Sequence, residues 1–355
     1  MSLTQSNRKK YPYRKIVLLI LVLLVLGFGA MIVYVGWDNT KLKLTRWWGY
    51  FTVQNNPLLP QRDKDLQAIK KSTLSSEPRI SLTELLAGGP PKDGIPSIDK
   101  PKFDTPKTMP FKEDETVIGV FLNGEARAYP YSILNWHEIV NDKIGNTSIT
   151  VTLCPLCDTN PVFVRMVNGK ETTFGVSGKL YQSCLVMYDR LTDSLWIQPW
   201  GMAIAGPLVN QSVPRIPAIK TTLGLWKKKY PDTKILSTNT GHSRDYHYFP
   251  YGTYYTDDKI IFPVRNLDKL QVHPKLIESY IWQADNNTPL NQFSGSSYHI
   301  SHEQMKRLKK QSITFNGKPT LVIWDEQFNT VRFFQGDKEI PSSTAFAFIY
   351  PAFFE

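Results

Sequence analysis

Two textures of hydrophobic pattern divide the chain. Residues Ile16 to Trp37 form an unbroken apolar run of 22 residues. From Thr116 onward, apolar and polar positions alternate over short stretches separated by turn residues. The first pattern predicts a helix of about 33 Å, enough to cross a hydrocarbon core of about 30 Å. The second predicts strands. Val117–Leu122 and Ala126–Tyr129 flank Asn123-Gly124 and read as a hairpin with a type I′ turn. A second hairpin is expected around Asn168-Gly169, a third around Asp189–Asp193 and a fourth around Asp325–Asn329, with Ser148–Leu153 as a further strand. Helical spacing is confined to Tyr131–Val140, Thr221–Lys229 and His302–Lys310. The fold class expected is α+β: a β-rich, mostly antiparallel domain behind a single N-terminal transmembrane helix.

The stretch between these two textures reads as a neck and lead-in, residues 38–115. It is rich in Pro, Lys and Ser, with short amphipathic pieces at Asp63–Lys71 and Ser81–Leu86. Ser81 and Glu84 have the spacing of a capping box, and Gly88-Gly89-Pro90-Pro91 ends that piece. The domains expected are a basic tail over 1–15, the span over 16–37, the lead-in over 38–115 and the β-rich domain over 116–355.

Charge orients the span. Arg8, Lys9, Lys10, Arg14 and Lys15 precede it without an acid, and Trp47 and Trp48 follow it. The positive-inside bias keeps the N-terminus in the cytoplasm and places the main domain outside, at the periplasmic or extracytoplasmic face of the cytoplasmic membrane. The apolar run continues past Gly29, which favours an uncleaved signal-anchor over a cleaved signal peptide. Those five basic residues account for five of the eleven excess positive charges, leaving +6 for the rest. The short clusters Lys227–Lys229 and Lys306–Lys310 read as solvated helix faces, so no nucleic-acid partner is expected. The partner expected is the lipid bilayer, through residues 16–37. No G-x-G-x-x-G or Walker pattern occurs, and there is no nucleotide or flavin signal.

Candidate chemistry centres on Cys154-Pro155-Leu156-Cys157, directly after an expected strand. Three readings stay open: a metal knuckle sharing one ion between two thiolates, a thiol redox pair, and a passive disulfide. A thioredoxin-like site needs a helix starting at the motif, and Pro161 leaves no room for one. His137 and Glu138 lie shortly before the motif. On a helix His137 and Asn141 would share a face, which makes His137 a candidate ligand or base. Cys184, among apolar strand residues, reads as an inert buried thiol. Glycines crowd the stretch from Phe174 to Pro207, and Gly241–His247 forms a further polar cluster.

The series WHEIVND, TLCPLC, FGVSGKLYQS, MYDRLTDSLWIQ, GMAIAGPL, TNTGHSRDY and PYGTY resembles the bacterial and archaeal family known as domain of unknown function 3179, over about 95–274. That resemblance implies an exported or membrane-anchored protein. It places the family's cysteine pair on Cys154 and Cys157, its histidine on His137 and its Asp-Arg on Asp189 and Arg190. Asp158 stands where members usually carry glycine, and Cys184 where they usually carry an acid, which makes Cys184 a weak ligand candidate. The family name implies no reaction.

The leading expectation is a soft-metal site, copper or alternatively zinc, ligated by Cys154, Cys157 and His137. Glu138 stands beside it as an acid or base, and Asp189 and Arg190 orient the ligands. A thiol-disulfide oxidoreductase using the same cysteines is the alternative. A non-enzymatic envelope module that binds a protein partner is the third reading.

Overall fold

A computed structural model describes residues 80–284 and 295–355. The apolar run 16–37, the tail before it and the Asp63–Lys71 piece lie outside the described residues. Among the described residues no helix is long and apolar enough to cross a membrane.

The described chain is β-rich, and its sheets are mostly antiparallel. Asn123 and Gly124 both take positive φ, 52° and 79°, and close the hairpin of Thr116–Leu122 with Glu125–Pro130. Those two strands sit inside a five-stranded sheet with Ile219–Thr222, Lys234–Leu236 and Phe103–Asp104. Lys234–Leu236 joins Glu125–Pro130 in parallel. A four-stranded sheet carries Ile139–Ile144, Thr147–Thr152, Val162–Val164 and Arg215–Ile216. A third sheet pairs Leu86–Ala87, Phe174–Tyr181, Cys184–Asp189, Leu195–Ile197 and Met202–Ala205 in that order. C-terminal to these, Ile277–Ala284 lies between Gly295–Ser301 and Ser343–Phe346. The strands from Lys310 to Glu339 form a meander.

Several expectations shift in detail. The Asn168-Gly169 turn closes only the short pair Met166–Val167 with Lys170–Glu171, because the flanking residues pair with other strands. Residues in the stretch read as lead-in belong to the sheets: Leu86–Ala87 and Phe103–Asp104 are edge strands, and Leu82, Leu85 and Ile98 are buried. Ser81 makes no side-chain cap, and Leu82–Glu84 is one 3₁₀ turn. The helix read over Tyr131–Val140 ends at His137. Glu138 breaks it with a φ of +57°, and Ile139 starts a strand. Asn141 is therefore a strand residue and shares no helix face with His137.

The glycine density between Phe174 and Pro207 has a packing origin. Gly178 takes a φ of +73°, and a methyl group there would overlap the Pro90 carbonyl. Asp93 donates its backbone N–H to Val176 O, and Gly88 donates to Gly178 O. These glycines let the Gly88–Asp93 segment lie directly on the sheet. A parallel case tests the packing. Gly119 lies under the Trp226 ring, which is fully buried and holds Thr233 Oγ1 through its indole N–H at 2.9 Å. Gly119→Ala is expected to lower stability by about 1–3 kcal/mol. Urea unfolding checks it: the midpoint falls while the slope is unchanged.

A candidate thiol centre

The Cys-x-x-Cys segment is the connection between Thr147–Thr152 and Val162–Val164. Cys154 donates its N–H to Thr159 O at 2.9 Å, closing the connection as an isolated bridge. The Cys154 carbonyl accepts from the N–H groups of Cys157 and Asp158, at 3.2 and 2.8 Å. So tight a loop needs a positive φ at its end, and Asp158 supplies it at +57°. Glycine adopts that conformation without a Cβ penalty. This chain places a fully buried aspartate there, and it forms an ion pair with Lys220.

Cys184 comes to the same place from a distant part of the chain. Gln182 and Ser183, both at positive φ, turn the strand Phe174–Tyr181 back into Cys184–Asp189. Cys184 Sγ then lies 2.8 Å from Cys157 Sγ. All three cysteines are free and buried. The Thr159 hydroxyl donates to Gln198 Oε1 at 2.6 Å and lies 3.1 Å from Cys157 Sγ. Cys184 lies against the same sulfur. Burial pushes both thiols up, and their sulfur neighbours do not reverse the shift. Cys154 behaves oppositely. Burial works against its charge, yet the thiols of Cys157 and Cys184 and the backbone N–H groups of Leu185 and Leu156 outweigh burial and hold it well below an ordinary thiol.

Glu138 is the neighbouring acid. It is 6 % exposed, and its strained backbone is fixed by a 2.8 Å hydrogen bond from Leu153 N–H to its carbonyl. Burial first, then the Cys154 charge, push its carboxyl up to about 8, against donation from Tyr251 OH at 3.0 Å. At neutral pH it is mostly a neutral acid. Tyr254 donates to Leu156 O at 2.7 Å, and Phe346 N–H to Cys157 O at 2.9 Å. The segment around 251–255 and the strand Ser343–Phe346 thus close over the loop. Four buried polar atoms around the thiols have no hydrogen-bond partner among the described residues: Asp158 Oδ1, Ser183 Oγ, Tyr255 OH and Tyr280 OH. Such a concentration marks a place built for a polar guest or ordered water.

The structure brings together Cys154, Cys157 and Glu138, and adds Cys184. His137 is turned elsewhere. Its Nδ1–H donates to Pro96 O at 2.7 Å and its Nε2 accepts from Tyr246 OH at 2.8 Å. The Pro96 carbonyl can only accept, which fixes this tautomer. With both nitrogens engaged, His137 has none left for a metal shared with the cysteines. Asp189 is buried and accepts from Thr192 N–H at 2.7 Å and Trp196 Nε1–H at 2.9 Å, holding the turn after its own strand. Arg190 reaches Asp99 at 3.1 Å and Ser97 at 2.8 Å. It ties the lead-in to the sheet, and neither residue orients a cysteine.

Burial lowers the His137 pKa from 6.5 to about 4. A base depressed in the folded state contributes stability that is present above the unfolded pKa and is lost as pH falls from 6.5 through 4. His137→Ala is expected to cost about 2–3 kcal/mol at pH 7 through the orphaned partners. It also removes part of the acid sensitivity below pH 6.5. Denaturant melts at pH 7 and pH 5 check both.

Among the described residues no group of three or more His, Cys, Asp or Glu is arranged to hold a metal ion. Spacing accounts for this at the thiols. Two sulfurs sharing one tetrahedral ion, each about 2.3 Å from it, stand about 3.8 Å apart, against the 2.8 Å between Cys157 and Cys184.

A family model described as protein of unknown function (DUF3179) matches residues 92–339. The chain belongs to that family. The DUF3179 match runs past Pro274, where the resemblance read from the sequence stops, and takes in the C-terminal meander. Every cysteine of the centre lies within it, as do Glu138 and Tyr251. No curated protein and no solved structure matches the chain. The sequence reading missed the tyrosine cover, although the quoted PYGTY motif contains Tyr251 and Tyr254. It also left Cys184 as an inert thiol and at most a weak ligand candidate.

Proposed function

We propose that Cys154, Cys157 and Cys184 form a thiol-disulfide redox centre in a membrane-tethered domain outside the cytoplasm. The observation that supports the reading is the clustering of the three sulfurs, with Cys184 Sγ 2.8 Å from Cys157 Sγ, together with their asymmetry: the Cys154 thiol is lowered while the other two are raised. The Cys154 thiolate attacks a low-molecular-weight disulfide, RSSR, and expels one thiolate, which takes a proton from Glu138. Cys157 or Cys184 then attacks Cys154 Sγ, forms the internal disulfide and displaces the second RS⁻, which takes the attacking thiol's proton and leaves as RSH. Two thiols are oxidised and one disulfide is reduced to two thiols. The burial of all three sulfurs favours a small substrate over a protein surface. The tether rests on the apolar run 16–37 and its basic flank.

One observation favours a soft-metal centre as the second reading. A loop that aims backbone N–H groups at Cys154 and ends in a positive φ also brings the two sulfurs of Cys154 and Cys157 toward one place, where as thiolates they would share an ion. Elemental analysis and thiol counting on the full chain, purified anaerobically, separate the two. The redox reading expects three titratable thiols after reduction and no stoichiometric metal. One equivalent of copper or zinc, absent from Cys154→Ser, overturns it.

A further inference from the structure

Between the strands Lys234–Leu236 and Ile277–Ala284 lie residues 237–276, whose regular structure is one 3₁₀ turn, Leu267–Lys269. Connections of that length inside a compact domain are uncommon and tend to serve function. Within this one, residues 249–258 fold on themselves. Gly252 N–H donates to Phe249 O, Tyr254 N–H to Tyr251 O, and the N–H groups of Thr256 and Asp257 both to Thr253 O. The tyrosines of the run face the sulfurs. Tyr254 shares a buried apolar cluster with Cys154, Cys157 and Cys184, and Tyr251 and Tyr255 pack against it. Tyr251 and Tyr254 also bond through their hydroxyls to Glu138 and to the Leu156 carbonyl.

Lys275 fastens the run. It is 6 % exposed. Its ammonium donates to the Tyr254 carbonyl, to the Asp257 carbonyl at 2.7 Å and to the Asp257 carboxylate at 3.0 Å, and lies 3.7 Å from the centre of the Tyr254 ring. All three ammonium protons are thereby used on the run. Lys275 itself stands on fixed ground, because the N–H groups of Phe348 and Ala347 donate to the carbonyls of Pro274 and Leu276 on either side of it. The ion pair of His273 with Asp258 is exposed and adds little.

We propose that residues 249–258 are a gate over the sulfurs and that Lys275 is its latch, so that small reagents reach Cys154 when this run lifts while the sheets stay folded. All three sulfurs are buried, so chemistry at them needs an opening. The backbone hydrogen bonds named for the run are made within it, and lifting it breaks no ladder. The other wall, Ser343–Phe346, is laddered to Ile277–Ala284, and moving it would break a sheet. The inference deepens the redox reading and rests on it only for what passes the gate, since the opening is measured without a disulfide.

The reduced full chain is alkylated anaerobically with iodoacetamide in low urea, and the rate at each cysteine is read by peptide mass mapping. A gate gives a rate nearly independent of urea well below the unfolding midpoint, because lifting exposes little surface. Lys275→Met removes the latch and is expected to speed alkylation of Cys154 about tenfold. Asp257→Asn keeps the shape of the latch without its charge and moves the rate the same way by less, and it remains as the test where Lys275→Met does not fold. Gly119→Ala, beneath Trp226 in a separate apolar cluster, loosens the whole fold and leaves the gated rate unaltered. The proposal is overturned if alkylation tracks global unfolding in urea, if Gly119→Ala speeds it as much as Lys275→Met does, or if both latch variants react at the parent's rate. Failure of the redox reading has a different signature: alkylation follows the gate while disulfides leave the thiols untouched.

Discussion

Cys154→Ser is expected to reduce reaction with a low-molecular-weight disulfide to background, whereas Cys157→Ser and Cys184→Ser each retain turnover. The difference follows from the roles of the sulfurs. Burial opposes a charge on Cys154, but its sulfur neighbours and two backbone N–H groups hold it below an ordinary thiol, whereas Cys157 and Cys184 are raised. Cys157 and Cys184 are both protonated neighbours of Cys154, so either resolves the mixed disulfide when the other is missing. Only the double replacement Cys157→Ser/Cys184→Ser leaves no resolving thiol. That variant is expected to accumulate a stable mixed disulfide on Cys154, visible by mass spectrometry as one adduct. Adducts distributed over several cysteines, or full activity in Cys154→Ser, would rule out the assigned roles.

The second large effect belongs to Glu138. Its folded pKa is raised from 4.5 to about 8, chiefly by burial. For an acid raised on folding, the stability is fully present below the unfolded value of 4.5 and is lost as pH rises through 8. Glu138→Gln keeps the shape and cannot ionise. At pH 8 the variant is expected to be more stable than the parent by on the order of 4 kcal/mol, since each pKa unit is about 1.4 kcal/mol. The gap closes as pH falls toward 4.5. The same change removes the acid that protonates the departing thiolate, so exchange with the disulfide slows even as the fold strengthens. Parallel urea melts at pH 5 and pH 8 check the stability. A variant with the parent's pH dependence would show that Glu138 does not carry it. His137 and His302, lowered to about 4 and about 3, act in the opposite direction below pH 6.5.

The parts of the fold that the sequence made legible are those fixed by local chemistry. Asn123-Gly124 can turn only one way at low cost, so its hairpin follows from four adjacent residues. The Asp189–Asp193 turn and the Asp325–Asn329 turn were equally local, and both join the strands expected of them. The break at Glu138 was not. Apolar spacing continues through Ile139 and Val140, no glycine marks the positive φ, and the bond that holds it comes from Leu153. Convergence of Cys184 on Cys157 depends on the pairing of strands far apart in sequence, so a cysteine among apolar neighbours gave no sign of it. His137 misled for a related reason. Its nearness to the Cys-x-x-Cys in sequence suggested a shared ion, while its actual partners, Pro96 and Tyr246, lie 41 and 109 residues away.

The measurement that bears most directly on the central claim is an anaerobic redox titration of the full chain in dithiothreitol buffers, read by alkylation and peptide mass mapping. The account predicts a single two-electron transition in which two thiols disappear together and Cys154 is always one of the pair. Three cysteines that stay reduced across the whole range, or a disulfide joining Cys157 to Cys184 with Cys154 left free, would contradict it.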